Sequence, residues 1–143
     1  MIYLDTSFLT PLFREEATSE KVGAFISRQA AGTMAVSKWT AVEFASLVSR
    51  DVRMGLLTAA QGRRSIAAFG ATVSAAFEVF IPNSQDFDLA QEYVADFSTQ
   101  LRGPDALHLA VARNNGTEFI ATLDEGMLSA AKKLKIPARR VIR

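Results

Sequence analysis

Apolar residues follow two different spacings along this chain. Short runs at residues 2–4, 33–36, 78–81, 119–123 and 140–142 read as buried strands. Between them apolar positions recur every three or four residues, the spacing of helices. Residues 18–29 carry Val22, Phe25 and Ile26, and residues 39–52 carry Trp39, Val42, Leu47 and Val48. Residues 84–99 offer Phe87, Leu89, Ala90, Tyr93, Val94 and Phe97 for packing. A short helix is expected over 8–13, broken by Pro11 or using it in its first turn. A helix over 58–76 starts at Thr58 but is weakened by Gly62 and Gly70. Pro104 opens a helix over 105–114, which Asn115-Gly116 stops. A last helix over 124–134 follows the fourth strand. Strands alternate with one helix or two, which predicts an α/β fold with a parallel sheet covered on both faces. At 143 residues, with no internal repeat or linker, residues 1–143 are expected to form a single domain.

Four acids interrupt this pattern. Asp5 ends the first strand and Asp124 follows the fourth. Asp105 opens a helix just after Gly103-Pro104. Glu43 lies four residues from both Trp39 and Leu47, inside an apolar stripe with no basic residue at helical spacing nearer than Arg50. In open α/β sheets ligands bind outside the carboxyl ends of the strands, where Asp5 and Asp124 fall, and helix starts face the same edge. Carboxylates are costly to bury uncompensated. Four that converge call for a hard divalent cation, which takes oxygen ligands. The pattern therefore points to metal-assisted chemistry on a phosphate ester.

Taken singly, three of these acids have ordinary explanations. Asp5 and Asp124 could cap helices, and Asp105 could be a favourable charge in a first turn. Thr6, Ser7 and Thr122 stand beside them; their hydroxyls could orient carboxylates or simply form turns. His108, the only histidine, shares a helical face with Asp105, Leu109 and Ala112. A lone histidine so placed is read as a packed, hydrogen-bonded structural residue and is left outside the catalytic set.

Composition narrows the chemistry. There is no cysteine, which excludes disulfides, thiolate metal sites and cysteine nucleophiles. Net charge is only +1, yet setting the four acids aside leaves 11 acids against 16 bases. That surplus suits a polyanionic substrate approaching an acidic centre. Arg14, Lys38, Arg50, Arg53 and Arg102 are unranked candidates for contact with it. The longest uncharged run is 13 residues, too short for a membrane span, and the first five residues do not form a signal peptide. The expected location is cytoplasmic.

Tyr3-Leu4-Asp5-Thr6-Ser7, Ala41-Val42-Glu43-Phe44, Pro104-Asp105-Ala106-Leu107-His108-Leu109-Ala110 and Thr122-Leu123-Asp124 together resemble the PIN domain, and within it the VapC-type ribonuclease toxins of toxin–antitoxin pairs. The resemblance spans essentially the whole chain. It implies a three-layer α/β/α sandwich with a mainly parallel central sheet. It implies a Mg²⁺- or Mn²⁺-dependent endoribonuclease whose metal-holding and catalytic acids map onto Asp5, Glu43, Asp105 and Asp124. It further implies an RNA substrate, a homodimer and a small antitoxin protein as partner. Alternatives are a free-standing PIN nuclease in RNA processing and a catalytically silent PIN-like binding module. A phosphatase with an aspartyl nucleophile would want a second Asp two residues after Asp5, where Ser7 stands. A phosphate-accepting receiver domain would want a lysine where the fourth strand leads into Asp124.

Overall fold

The computed structural model describes residues 1–143. Five strands form one sheet: β1 (Ile2–Leu4), β2 (Met34–Ser37), β3 (Glu78–Phe80), β4 (Phe119–Ala121) and β5 (Ala138–Arg139). Their order is β3-β2-β1-β4-β5, and each neighbouring pair is parallel. The chain's first strand is thus its central one, with Ile2 opposite Met34 on one side and Phe119 on the other.

Seven α-helices connect the strands: α1 (Thr6–Leu9), α2 (Ser19–Ser27), α3 (Lys38–Arg53), α4 (Ala59–Ala76), α5 (Ser84–Ala95), α6 (Gly103–Asn114) and α7 (Glu125–Lys133). Side chains alternate along a strand, so each strand feeds two cores. Ile2, Leu4, Phe119 and Ala121 pack with Phe8, Val22, Phe44 and Phe69 of α1 to α4. Tyr3 and Ile120 pack on the opposite face with α5, α6 and α7, through Ala90, Leu109, Val111 and Met127. The result is the three-layer α/β/α arrangement with a parallel central sheet. No helix is long and apolar enough to cross a membrane.

The elements follow local chemistry. Ser37 is the N-cap of α3, and its N–H donates to Thr40 Oγ1 at 3.2 Å. Thr58 and Gln61 cap the start of α4 reciprocally, and Asn83 and Asp86 do the same for α5. Pro11 lies in a one-turn 3₁₀ helix, Thr10–Leu12, that continues α1.

Three expectations need correction. The buried stripe of α3 is Thr40, Phe44, Val48 and Asp51, so Val42 faces solvent at 56% exposure. Phe44 stacks on Phe69 with ring centroids 4.4 Å apart, which sets the rotation of α3. Helix α5 stops at Ala95 because Asp96 leaves helical geometry and accepts hydrogen bonds from Ser98, which leaves Phe97 at 86% exposure; Phe87, near the start of the helix, is exposed as well. The last strand lies at Ala138–Arg139, before residues 140–142. The N–H groups of Ile120 and Thr122 take Pro137 O and Arg139 O as acceptors, and Ile142 turns into the α1–α4 core.

Candidate active site

The strand order reverses direction between β1 and β4, because the chain builds outward from β1 to β3 and then returns to the other side. Such a switch point leaves a crevice at the carboxyl edge of the sheet. Asp5 leaves β1 there, and Thr122 and Asp124 follow β4. Helices in a parallel fold run back against the strands, so the starts of α3 and α6 bring Glu43 and Asp105 to the same edge.

Asp5 is buried, and its carboxylate is held from several sides. Ser7 Oγ lies 2.9 Å from both oxygens, Thr122 Oγ1 donates to Oδ2 at 2.9 Å, and Phe8 N–H donates to Oδ1 at 3.0 Å. Ser7 Oγ also accepts from Leu123 N–H at 3.0 Å, and Thr122 Oγ1 accepts from Asp124 N–H at 3.1 Å. These contacts lock the β1 and β4 ends together. Burial pushes the Asp5 carboxyl up, against the opposing pull of His108 and of the Thr122, Phe8 and Ser7 donors.

Glu43 is half-buried and sits in a second network. Thr6 Oγ1 donates to its Oε1 at 2.6 Å, and His108 Nε2 donates to the same oxygen. The Tyr3 hydroxyl lies 2.7 Å from His108 Nδ1 and 2.9 Å from Ser37 Oγ. Burial raises the Glu43 carboxyl, but the hydrogen bond and attraction of His108, with Thr6, outweigh it and hold the group below its usual range. Burial pushes the Tyr3 phenol strongly upward, so it stays protonated as a fixed donor.

Asp105 has no such partners. Burial raises its carboxyl to about 6, and repulsion from Asp124, Glu43 and Asp5 adds to the shift against the attraction of His108. Asp105 and Asp124 line one polar cleft of about 380 Å³. Asp124 also caps α7, accepting from Met127 N–H at 2.8 Å through Oδ1. A Cβ at Gly126 would come within 3.1 Å of that oxygen, so glycine there leaves the carboxylate its place.

The four acids therefore share one electrostatic neighbourhood, and Asp105 is repelled by the other three. They do not form a closed coordination sphere: no three His, Asp or Glu side chains stand close enough to enclose an ion. Asp5, Glu43 and Asp124 each accept hydrogen bonds from the protein, Asp105 accepts none, and Asp105 and Asp124 line the cleft. The donor set is all oxygen, which fits a hard divalent cation. The raised carboxyl of Asp105 marks charge that a cation would relieve.

Thr6, Ser7 and Thr122 place their hydroxyls directly on Asp5 and Glu43. Sequence reading missed His108 and Tyr3 as parts of this site. His108 is buried on α6 one turn after Asp105, so its spacing from an acid was a usable signal. Tyr3 carries no such mark in the sequence, because it alternates inward like any strand residue.

Comparison with known proteins gives a consistent picture. The PIN domain family model matches residues 2–133. No curated protein matches the chain by sequence. Among solved structures, Mycobacterium tuberculosis VapC20, a sarcin–ricin loop cleaving toxin, superposes with a TM-score of 0.75 at 20% identity, covering 91% of this chain and 95% of its own. VapBC-1 from nontypeable Haemophilus influenzae gives 0.68 at 16% identity, with 97% of each chain covered. VapBC2 from Rickettsia felis, bound to a DNA fragment from their promoter, gives 0.64 at 15% identity, covering 97% and 98%. At these identities the likeness is one of fold.

Proposed function

The chain belongs to the PIN domain family, and on that premise we propose that it is a metal-dependent endoribonuclease, the toxin of a toxin–antitoxin pair. The observation that carries the reading is Asp105, a partly buried carboxyl raised to about 6 beside three further acids at the switch point of a parallel sheet. Strongly perturbed groups in a cleft are the physical signature of a working site.

Asp5, Glu43, Asp105 and Asp124 are the residues that would hold Mg²⁺ or Mn²⁺. When bound, such an ion supplies Lewis-acid stabilisation of charge on the phosphate and makes water more acidic. The protein's own part is positioning. Thr122, Ser7 and the Phe8 N–H fix the Asp5 carboxylate in one orientation. His108 and Thr6 occupy Glu43 Oε1 and leave Oε2 as the oxygen open to a cation. Asp105 and Asp124 draw a cation into the open end.

A small antitoxin protein as partner is supported by the resemblance to VapC-type toxins and by the VapBC neighbours. A homodimer, a single domain over 1–143 and a cytoplasmic location belong to the same reading.

Purified protein should cleave RNA in the presence of Mg²⁺ or Mn²⁺ and stop in excess chelator. Asp5→Asn and Asp105→Asn should each lower the rate by at least tenfold, since a carboxylate lost from a metal site removes ligand and charge together. Cleavage that survives both changes, or proceeds equally with chelator, sinks the proposal.

A further inference from the structure

The cleft beside Asp105 and Asp124 holds more than acids. Gln100, Arg102 and Ser129 line it as well, and no aromatic side chain does. Arg102 is the one basic residue in its lining. Four other arginines are engaged: Arg14 pairs with Asp51, Arg53 donates to Ser49, Arg140 pairs with Glu125 and Arg139 lies over the Phe119 ring, while Arg28, Arg50, Arg63, Arg64, Arg113 and Arg143 enter no ion pair but do not line this cleft. Arg102 enters no ion pair. Its guanidinium is thus available to an incoming anion in the cleft, three residues before Asp105.

A guanidinium presents a planar fork matched to phosphate oxygens. A chain of phosphates that brings one phosphate to the acids brings the next within one nucleotide of them. Gln100 precedes Arg102 by two residues and sits at a left-handed backbone position with φ 55°. A side-chain amide carries both donor and acceptor, as a base edge does. The adjoining Thr99 hydroxyl is turned inward to Tyr93 O and Asp96 O and takes no part. Without an aromatic platform the cleft cannot hold a base by ring stacking, so hydrogen bonding to an unpaired base is what its walls offer.

We infer that this cleft seats the unpaired nucleotide next to the scissile phosphate, with Arg102 gripping its phosphate and Gln100 reading its base edge. The inference rests on the nuclease reading above and assigns its substrate contacts.

The test measures binding of short single-stranded RNA homo-oligomers of the four bases to the full chain carrying Asp5→Asn, which suppresses cleavage. Arg102→Ala should weaken all four RNAs several-fold and reduce the log–log salt slope by about 0.7, the loss of one phosphate contact to a single strand. Arg102→Lys should keep most of that slope, because it keeps the charge. Gln100→Ala should alter the ranking of the four RNAs and leave the slope unchanged. If the Asp5→Asn protein binds RNA and Arg102→Ala leaves affinity and slope untouched, the subsite is wrong while the nuclease reading stands. An unchanged ranking with Gln100→Ala overturns the base-edge assignment. If the Asp5→Asn protein binds no RNA and the unaltered chain cuts none, both readings fall.

Discussion

Asp105 is where charge crowding is greatest, and its consequences can be worked out for pH. Its carboxyl is raised to about 6 in the folded chain from 3.8. Below pH 3.8 the group is protonated in both states and contributes nothing. As pH rises toward 6 the unfolded chain ionises first, so the folded state loses stability through that window. Above about 6 the loss is complete. Metal-free protein should therefore lose melting temperature between about pH 4 and 6, beyond any trend in Asp105→Asn, which should melt higher at neutral pH. An identical pH profile for the two proteins in chelator would show that Asp105 is not crowded. Thr122 acts in the opposite sense, because it satisfies Asp5. Thr122→Val should cost about 1–3 kcal/mol in denaturant unfolding, the usual penalty for a buried acceptor left short of a donor.

The acids stood out in the sequence because Asp5 and Asp124 follow apolar runs, Glu43 breaks one and Asp105 opens a helix behind Gly103-Pro104. His108 was legible as a packed, hydrogen-bonded residue, but its partners were not. Between Leu107 and Leu109, a histidine packed among apolar atoms looks the same as one that bonds Tyr3, Thr6 and Glu43, since those partners lie 65 to 105 residues away. Only the fold brings them together.

At the scale of elements, spacing located every strand and helix to within a few residues, except the last strand. Parallel pairing was also legible, because helices separate the strands. Strand order was not, since no local pattern says that β4 returns to the far side of β1. The packing of α3 on α4 was equally hidden. Gly62 of α4 faces Val52 and Val48 of α3, and a Cβ there would meet Val52 Cγ2 at 2.9 Å and Val48 Cγ1 at 3.2 Å. Alanine gains about 1 kcal/mol over glycine inside a helix, but overpacking a β-branched neighbour costs about 1–3 kcal/mol. Gly62→Ala should therefore lower stability. Gly70, two turns further along α4, has nothing within 4 Å of an added Cβ. Gly70→Ala should raise stability by up to about 1 kcal/mol and the melting temperature by a few degrees. Opposite signs at two glycines of one helix would place the α3–α4 contact; equal signs would contradict it.

For the whole molecule, the site draws on β1, α3, α6 and the turn after β4. Anything that binds the folded chain and not the unfolded one raises its stability, by about 2.7 kcal/mol at a hundred times Kd. Mg²⁺ or Mn²⁺ at millimolar concentration should raise the melting temperature, and Asp5→Asn or Asp105→Asn should blunt the rise. A flat melting temperature across the metal series would count against a shared cation site.

The central place of β1 bears on when the site can assemble. Asp5 is made 117 residues before its hydrogen-bond partner Thr122. Synthesis proceeds at about 5–20 residues per second, and pairing across so long a loop waits for the distant strand. The hydrogen-bond network around Asp5 is thus incomplete until β4 has been made. The keystone strand is laid first, but the arch closes only when β4 arrives.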